Sequence, residues 1–187
     1  ANHDAFAGQR LYDQFNGNLT QYRLAAATLL LQPGTPFVYY GEEIGMAGAA
    51  ALAGDPKLRT PMSWTASTAN AGFTTGTPYR ALSANVAGFN VQAQTADANS
   101  LHAFYKAMIG LRHSVPALAR GGFEGSVVAG SAHGFVRRLG SERALVVFVR
   151  SVGWCPYCRT QVIELQRHLG AFAAAGVHPL VVTPDAP

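Results

Sequence analysis

Apolar residues recur at three- and four-residue spacing at Tyr22, Ala25, Ala26, Leu29 and Leu30. They mark one side of a helix that Asn18 or Thr20 caps and Pro33-Gly34 ends. Directly after it, Phe37-Val38-Tyr39-Tyr40 reads as a short buried strand. A helix followed by a short apolar strand is the repeating unit of a parallel α/β barrel, whose strands are covered on both faces. From Gly41 to Ala96 the chain is rich in Gly, Ala, Thr, Ser and Pro and keeps no period, which predicts a long loop that carries function or packs over a site. Periodicity returns at Leu101, Phe104, Tyr105, Met108 and Ile109, a helix capped by Asn99 or Ser100 and ended before Pro116.

From Gly134 the pattern changes to strand. Phe135 to Leu139, a turn at Gly140-Ser141-Glu142-Arg143, and Ala144 to Val149 predict a hairpin. Then come Gly153-Trp154-Cys155-Pro156-Tyr157-Cys158, a helix with Val162, Leu165, Leu169 and Phe172 turned inward, and a strand at Leu180-Val181-Val182. Strand, helix and strand within about forty residues make a βαβ unit. The segment Ala144 to Val149 therefore serves both the hairpin and the βαβ unit. No polar linker of the kind that ordinarily parts two domains lies between them.

Composition narrows the function without choosing it. A chain of 187 residues that is 49% hydrophobic can bury one good core or two small ones. Its net charge of +4 comes from 14 basic and 10 acidic residues spread along the chain. Nucleic-acid binding needs clustered cations, so no nucleic-acid partner is expected. The longest apolar run, Leu24 to Leu31, is far short of the ~20 residues that span a bilayer, and no membrane insertion is expected. Both ends read as cut: Asn2-His3-Asp4 starts with no element before it, and Leu180 to Asp185 is a strand running into a loop where a small α/β domain would continue.

Cys155 and Cys158 are the two cysteines of the chain, and both sit between a strand and a helix. A cysteine at a helix N-terminus feels the positive end of the dipole, which favours thiolate, and a second one three residues on can close a disulfide across the first turn. This context reads as a thioredoxin-like redox site. A zinc half-site is the rival; it lacks a second ligand pair, and no metal is expected.

Several separated stretches occur in an order that resembles the alpha-amylase family of glycoside hydrolases. They are Asn2-His3-Asp4, Gln32 to Met46, and Arg59-Thr60-Pro61-Met62-Ser63-Trp64. Asn90 to Gln94 and Ser100 to Leu118 resemble the final helix of that family's barrel, and Gly134 to Phe148 the start of its C-terminal β-sandwich. The resemblance implies that His3 and Asn2 belong to the sugar-binding subsite and that Asp4 stabilises the transition state. An oxocarbenium-like transition state gains positive charge, which an ionised carboxylate offsets. It also implies that the nucleophile and general acid come from strands upstream of Asn2. Glu42 and Glu43 do not replace them, because adjacent strand residues point to opposite faces; hydrogen bonding of loop backbone suits them better. Arg59 and Trp64 shape a sugar cleft or simply pack the loop.

The stretch Val147 to Arg159, with Leu180 to Asp185, resembles peroxiredoxin-like proteins of the alkyl hydroperoxide reductase and thiol-specific antioxidant group. By that resemblance Cys155 is the attacking thiol and Cys158 the resolving one, although the later strands of that fold are missing. The expected architecture is thus α/β: the C-terminal portion of a (β/α)8 barrel over 1–118, a β-hairpin of a β-sandwich over 119–148, and a partial thioredoxin-like βαβ unit over 144–187. Expected ligands are an alpha-glucan or malto-oligosaccharide and a thiol or peroxide substrate, with no cofactor. Three functions remain in play: an alpha-glucan hydrolase piece, a dithiol redox module, and a product of gene joining without activity, which the doubly used segment Ala144 to Phe148 suggests.

Overall fold

The computed structural model describes residues 2–130 and 132–185. Ala1, the first residue of the expected barrel portion, and Ala186 and Pro187, the last of the expected thioredoxin-like unit, lie outside the described residues. The helices are α1 (Leu11–Gln14), α2 (Leu19–Leu31), α3 (Asp55–Leu58), α4 (Val91–Ala96), α5 (Leu101–Ser114), α6 (Pro116–Arg120), α7 (Pro156–Arg167) and α8 (Leu169–Ala174). The strands are β1 (Gly122–Ala129), β2 (Ala132–Leu139), β3 (Glu142–Phe148) and β4 (Val177–Val182). The chain divides into two compact units, one of Ala1–Tyr22 and Phe37–Ala107, the other of Arg23–Pro36 and Met108–Pro187.

In the first unit, Asn18 is the cap of α2, its side-chain oxygen accepting from the backbone N–H groups of Thr20 and Gln21 at 3.1 Å. Ser100 caps α5, its Oγ accepting from Ala103 N at 3.1 Å. Tyr22 and Tyr105 are both buried, and the Tyr22 hydroxyl donates to the Glu42 carbonyl at 2.9 Å. Burial pushes the pKa of both phenols above the ordinary tyrosine value.

The strand expected at Phe37–Tyr40 does not form. A strand needs a neighbour for its backbone groups, and here side chains have taken them. Tyr39 N donates to Glu42 Oε2 at 3.1 Å, and the Tyr40 carbonyl accepts from Arg10 Nη1 at 2.7 Å. Buried Arg10 also lies over the rings of Tyr39 and Tyr40, 4.8 and 4.6 Å from their centroids. The turn that follows depends on Gly41 and Gly45, at φ +80° and +73°. A Cβ at Gly41 would meet Met46 Sδ at 2.3 Å, and one at Gly45 would meet Leu101 Cδ1 at 2.7 Å. The long aperiodic stretch is a packed segment rather than one loop, interrupted by α3 and ending in α4, with Ile44, Met46, Ala49 and Leu58 all buried.

In the second unit one sheet has the order β1-β2-β3-β4. The expected hairpin is β2–β3, antiparallel with Phe135 opposite Val146 and Leu139 opposite Glu142. The expected βαβ unit is β3–α7–α8–β4, with β3 and β4 parallel and Val146 opposite Leu180. Thus β3 is the last strand of an antiparallel meander and the first of a parallel crossover, joined in one sheet. The sheet also contains β1, which the alternation did not predict. The inward helix is split at His168, so Leu169 begins a new helix and is exposed rather than buried.

Candidate functional site

Asn2, His3 and Asp4 precede a single 3-10 turn at Ala5–Ala7. Asn2 Oδ1 accepts from Asp4 N at 2.8 Å, which bends the backbone around the triplet. His3 Nε2 lies 3.3 Å from Asp4 Oδ1; the two side chains are 62% and 30% exposed. Arg59 grips both residues. Its Nε donates to the His3 carbonyl at 2.8 Å and its Nη2 to Asp4 Oδ1 at 2.9 Å. The same Nη2 donates to Asp55 Oδ2 at 2.8 Å, and Asp55 Oδ1 accepts from Ala5 N at 2.6 Å. Asp55 and Arg59 face the same side of α3 and its cap, four residues apart.

The triplet is therefore built as one surface cluster, Asn2, His3, Asp4, Asp55 and Arg59. A carboxylate held in this way can offset positive charge on a ligand, with an imidazole beside it as hydrogen-bonding partner. Asp55 was not singled out in the sequence. The available signal was an Asp-Pro helix start with Arg four residues later. Trp64 is half-exposed, while Glu42 is buried and spends one carboxylate oxygen on Tyr39 N.

The second cluster lies in the other unit. Cys155 is the N-cap of α7, and its Sγ accepts from Cys158 N at 3.4 Å. Both cysteines are reduced and buried, in a cluster with Ala132, Val147 and Val149. Arg150 Nη2 is 3.9 Å from Cys155 Sγ, and its guanidinium stacks on Trp154, 4.6 Å from the ring centroid.

The fold and the first cluster define an α/β protein with an Asn-His-Asp surface cluster. Residues 1–121 match the alpha amylase catalytic domain, well over half of the chain, so the protein belongs to the alpha-amylase family. Residues 136–187 match the AhpC/TSA family. The trehalose synthase/amylase TreS of Mycobacterium tuberculosis is 37% identical over 123 residues, covering 62% of this chain and 20% of the relative. The glucan 1,6-alpha-glucosidase of Streptococcus pneumoniae is 30% identical over 169 residues, covering 70% and 31%. Among solved structures, an isomaltulose synthase mutant from Erwinia rhapontici NX5, in complex with its natural substrate sucrose, superposes with a TM-score of 0.65 at 27% identity, over 79% of this chain and 33% of that one. The chain thus spans between a fifth and a third of the length of these proteins.

Proposed function

We propose that residues 1–118 are the C-terminal portion of a retaining alpha-glucan hydrolase barrel and 119–148 the start of its C-terminal β domain. In this reading Asp4 is the carboxylate that stabilises the transition state, and Asn2 and His3 bind the sugar. The ligand is an alpha-glucan or malto-oligosaccharide. The observation that carries the reading is the double hold of Arg59 on the His3 carbonyl and the Asp4 carboxylate, which presents both side chains together at the surface. Retaining chemistry also needs a nucleophile and a general acid/base about 5 to 5.5 Å apart. In this reading Asp4 is the stabilising carboxylate and not a member of that pair, and the chain alone is expected to be inactive as a glycosidase. Assay of the purified 187-residue chain with starch, maltose and an aryl α-glucoside is expected to give background rates. Turnover that disappears in Asp4→Asn would overturn this.

A second reading is favoured by Cys155 at the N-cap of α7. In it, residues 144–187 are a partial thioredoxin-like unit in which Cys155 attacks a thiol or peroxide substrate and Cys158 resolves it. The shared strand β3 supports joining of two coding segments as the origin of the chain. Complete domains on both sides in the flanking genomic DNA would make the fusion a natural one.

A further inference from the structure

The redox reading uses Cys155 and Cys158 but leaves the carboxylate of Asp185 unexplained. Asp185 follows β4, and its side chain crosses to the loop that leads into α7. Its Oδ2 accepts from Gly153 N at 3.0 Å, from Thr183 Oγ1 at 2.6 Å, and from Val152 N; its Oδ1 accepts from Ser151 Oγ. Ser151 Oγ in turn accepts from Trp154 N at 3.1 Å. From the other side, Arg159 on α7 donates through Nε to the Val152 carbonyl at 3.2 Å and through Nη2 to the Gly153 carbonyl at 2.6 Å. The backbone of residues 151–154 is thus held from the end of β4 and from the first turns of α7. Cys155 comes directly after it.

We propose that Asp185 is the positioning residue of the dithiol: it tethers the Ser151–Trp154 loop and so fixes where Cys155 Sγ meets the N-terminus of α7. This rests on the redox reading of the same site. Its hydrogen bonds go to the loop and to Thr183, so it acts through the loop. The donors converging on it, Ser151 foremost and then Thr183, hold its pKa down at about 2, so it stays ionised throughout the pH range of thiol chemistry and is no proton acceptor there. Its influence on thiol reactivity is therefore exerted through the loop and not by taking up a proton.

The step that reports it is exchange with a low-molecular-weight disulfide. The Cys155 thiolate attacks one sulfur of oxidised glutathione and releases one glutathione thiolate. The Cys158 thiolate then displaces the second, leaving a Cys155–Cys158 disulfide and two reduced glutathiones. Loss of the tether spreads the loop over conformations that do not bring the sulfurs together, and a displacement of about 1 Å costs up to about a hundredfold in rate.

The test compares the full chain with Asp185→Ala, Asp185→Asn, Ser151→Ala and Thr183→Ala in glutathione redox buffers, with iodoacetamide alkylation followed by peptide mapping as a second readout. Asp185→Ala is expected to slow disulfide closure about tenfold at alkaline pH, where the thiols are ionised and only their placement differs. Asp185→Asn, which keeps one acceptor oxygen, and Ser151→Ala fall in between; Thr183→Ala, which leaves the loop contacts intact, stays within about twofold. Wild-type closure and alkylation rates in folded Asp185→Ala overturn the tether, as does a loss that disappears at alkaline pH, where the thiols are ionised. If Asp185→Ala does not fold, unchanged rates in both Asp185→Asn and Ser151→Ala overturn it equally. A wild-type chain that forms no intramolecular disulfide overturns the redox reading instead, and the alkylation rates of Cys155 across the same variants still decide on the tether.

Discussion

The guanidinium groups of Arg112 and Arg137 converge on one acceptor, the Gln32 carbonyl oxygen, at 3.0 and 3.3 Å. Arg112 also donates to the carbonyls of Leu30 and Gly34, at the C-terminal end of α2. Arg137 donates to those of Leu118 and Gly121, around the end of α6. Carbonyls at a helix C-terminus lack intrahelical partners and carry the negative end of the dipole, so a buried cation is at home there without a carboxylate. Burial lowers both pKa values, and for Arg137 the neighbouring charge of Arg112 adds to it, but a guanidinium remains protonated.

Arg137→Met removes three charge-assisted hydrogen bonds from carbonyls that stay in place. The expected loss is about 2 to 4 kcal/mol, with Arg112→Met similar. The double variant is expected to lose more than the sum, because each single change relieves the repulsion between the two cations and leaves the shared Gln32 carbonyl with the other donor. Urea unfolding at matched protein concentration measures all three; strict additivity would mean that the shared carbonyl does not couple them.

These arginines mark a limit of sequence reading. In the sequence Arg137-Arg138 is an unremarkable basic pair, and nothing local says that Arg137 is buried while Arg138 faces solvent; only the pleat of β2 against the helix ends decides it. What local chemistry determines was legible: the caps of α2 and α5, the β2–β3 turn, and the placement of Cys155 at a helix start; of the expected faces, Tyr22, Ala26, Leu30, Leu101 and Tyr105 are buried but Leu29 and Ile109 are exposed. The missing strand at Phe37–Tyr40 shows the converse, since four residues of high strand propensity pair only if a neighbour is offered. β1 was hidden because Gly122-Phe123-Glu124-Gly125-Ser126 contains two glycines, and its register slips at a bulge between Phe123 and Gly125, which breaks the alternation. Arg59 was visible as a motif residue, but its bond to Asp4 crosses 55 positions and no pattern of spacing encodes it.

β1 is an edge strand, and both faces of its second half are bare: Val127 is 58% exposed and Val128 72%. An edge with unpaired backbone groups and apolar side chains recruits other chains. Size-exclusion chromatography with light scattering is expected to find the isolated chain oligomeric or aggregated. Val128→Lys is expected to shift it toward the monomer, since an edge lysine opposes strand addition. A wild-type monomer with one sharp unfolding transition counts against this.

The depressed pKa of Asp185, about 2, gives stability a defined acid dependence. A carboxylate whose folded value lies below its unfolded value, about 4, stabilises the fold above the unfolded value. That contribution is lost as pH falls through the folded value. The difference in melting temperature between wild type and Asp185→Asn is therefore expected to be constant above about pH 5 and to shrink between about pH 4 and 2. A difference that persists unchanged through that window would place the ionisation elsewhere.

Cys155 and Cys158 are both buried, so both thiols are expected to react more slowly with iodoacetamide than cysteine in an unfolded chain. Their order follows from what each faces. Cys155 stands before the first turn of α7, where its sulfur accepts from a backbone N–H and has the Arg150 guanidinium 3.9 Å away. A sulfur held at a helix start beside a guanidinium is the better placed of the two to act as nucleophile. Cys158 lies one turn further along, on the face that carries Val162 and Leu165 into the apolar cluster. Limiting iodoacetamide at neutral pH, followed by peptide mapping, is expected to label Cys155 first. Oxidation before labelling is expected to protect both at once, as an intramolecular disulfide requires. Equal labelling, or labelling of Cys158 first, would mean that the start of α7 does not activate its cap residue and that the dithiol lacks a thioredoxin-like geometry.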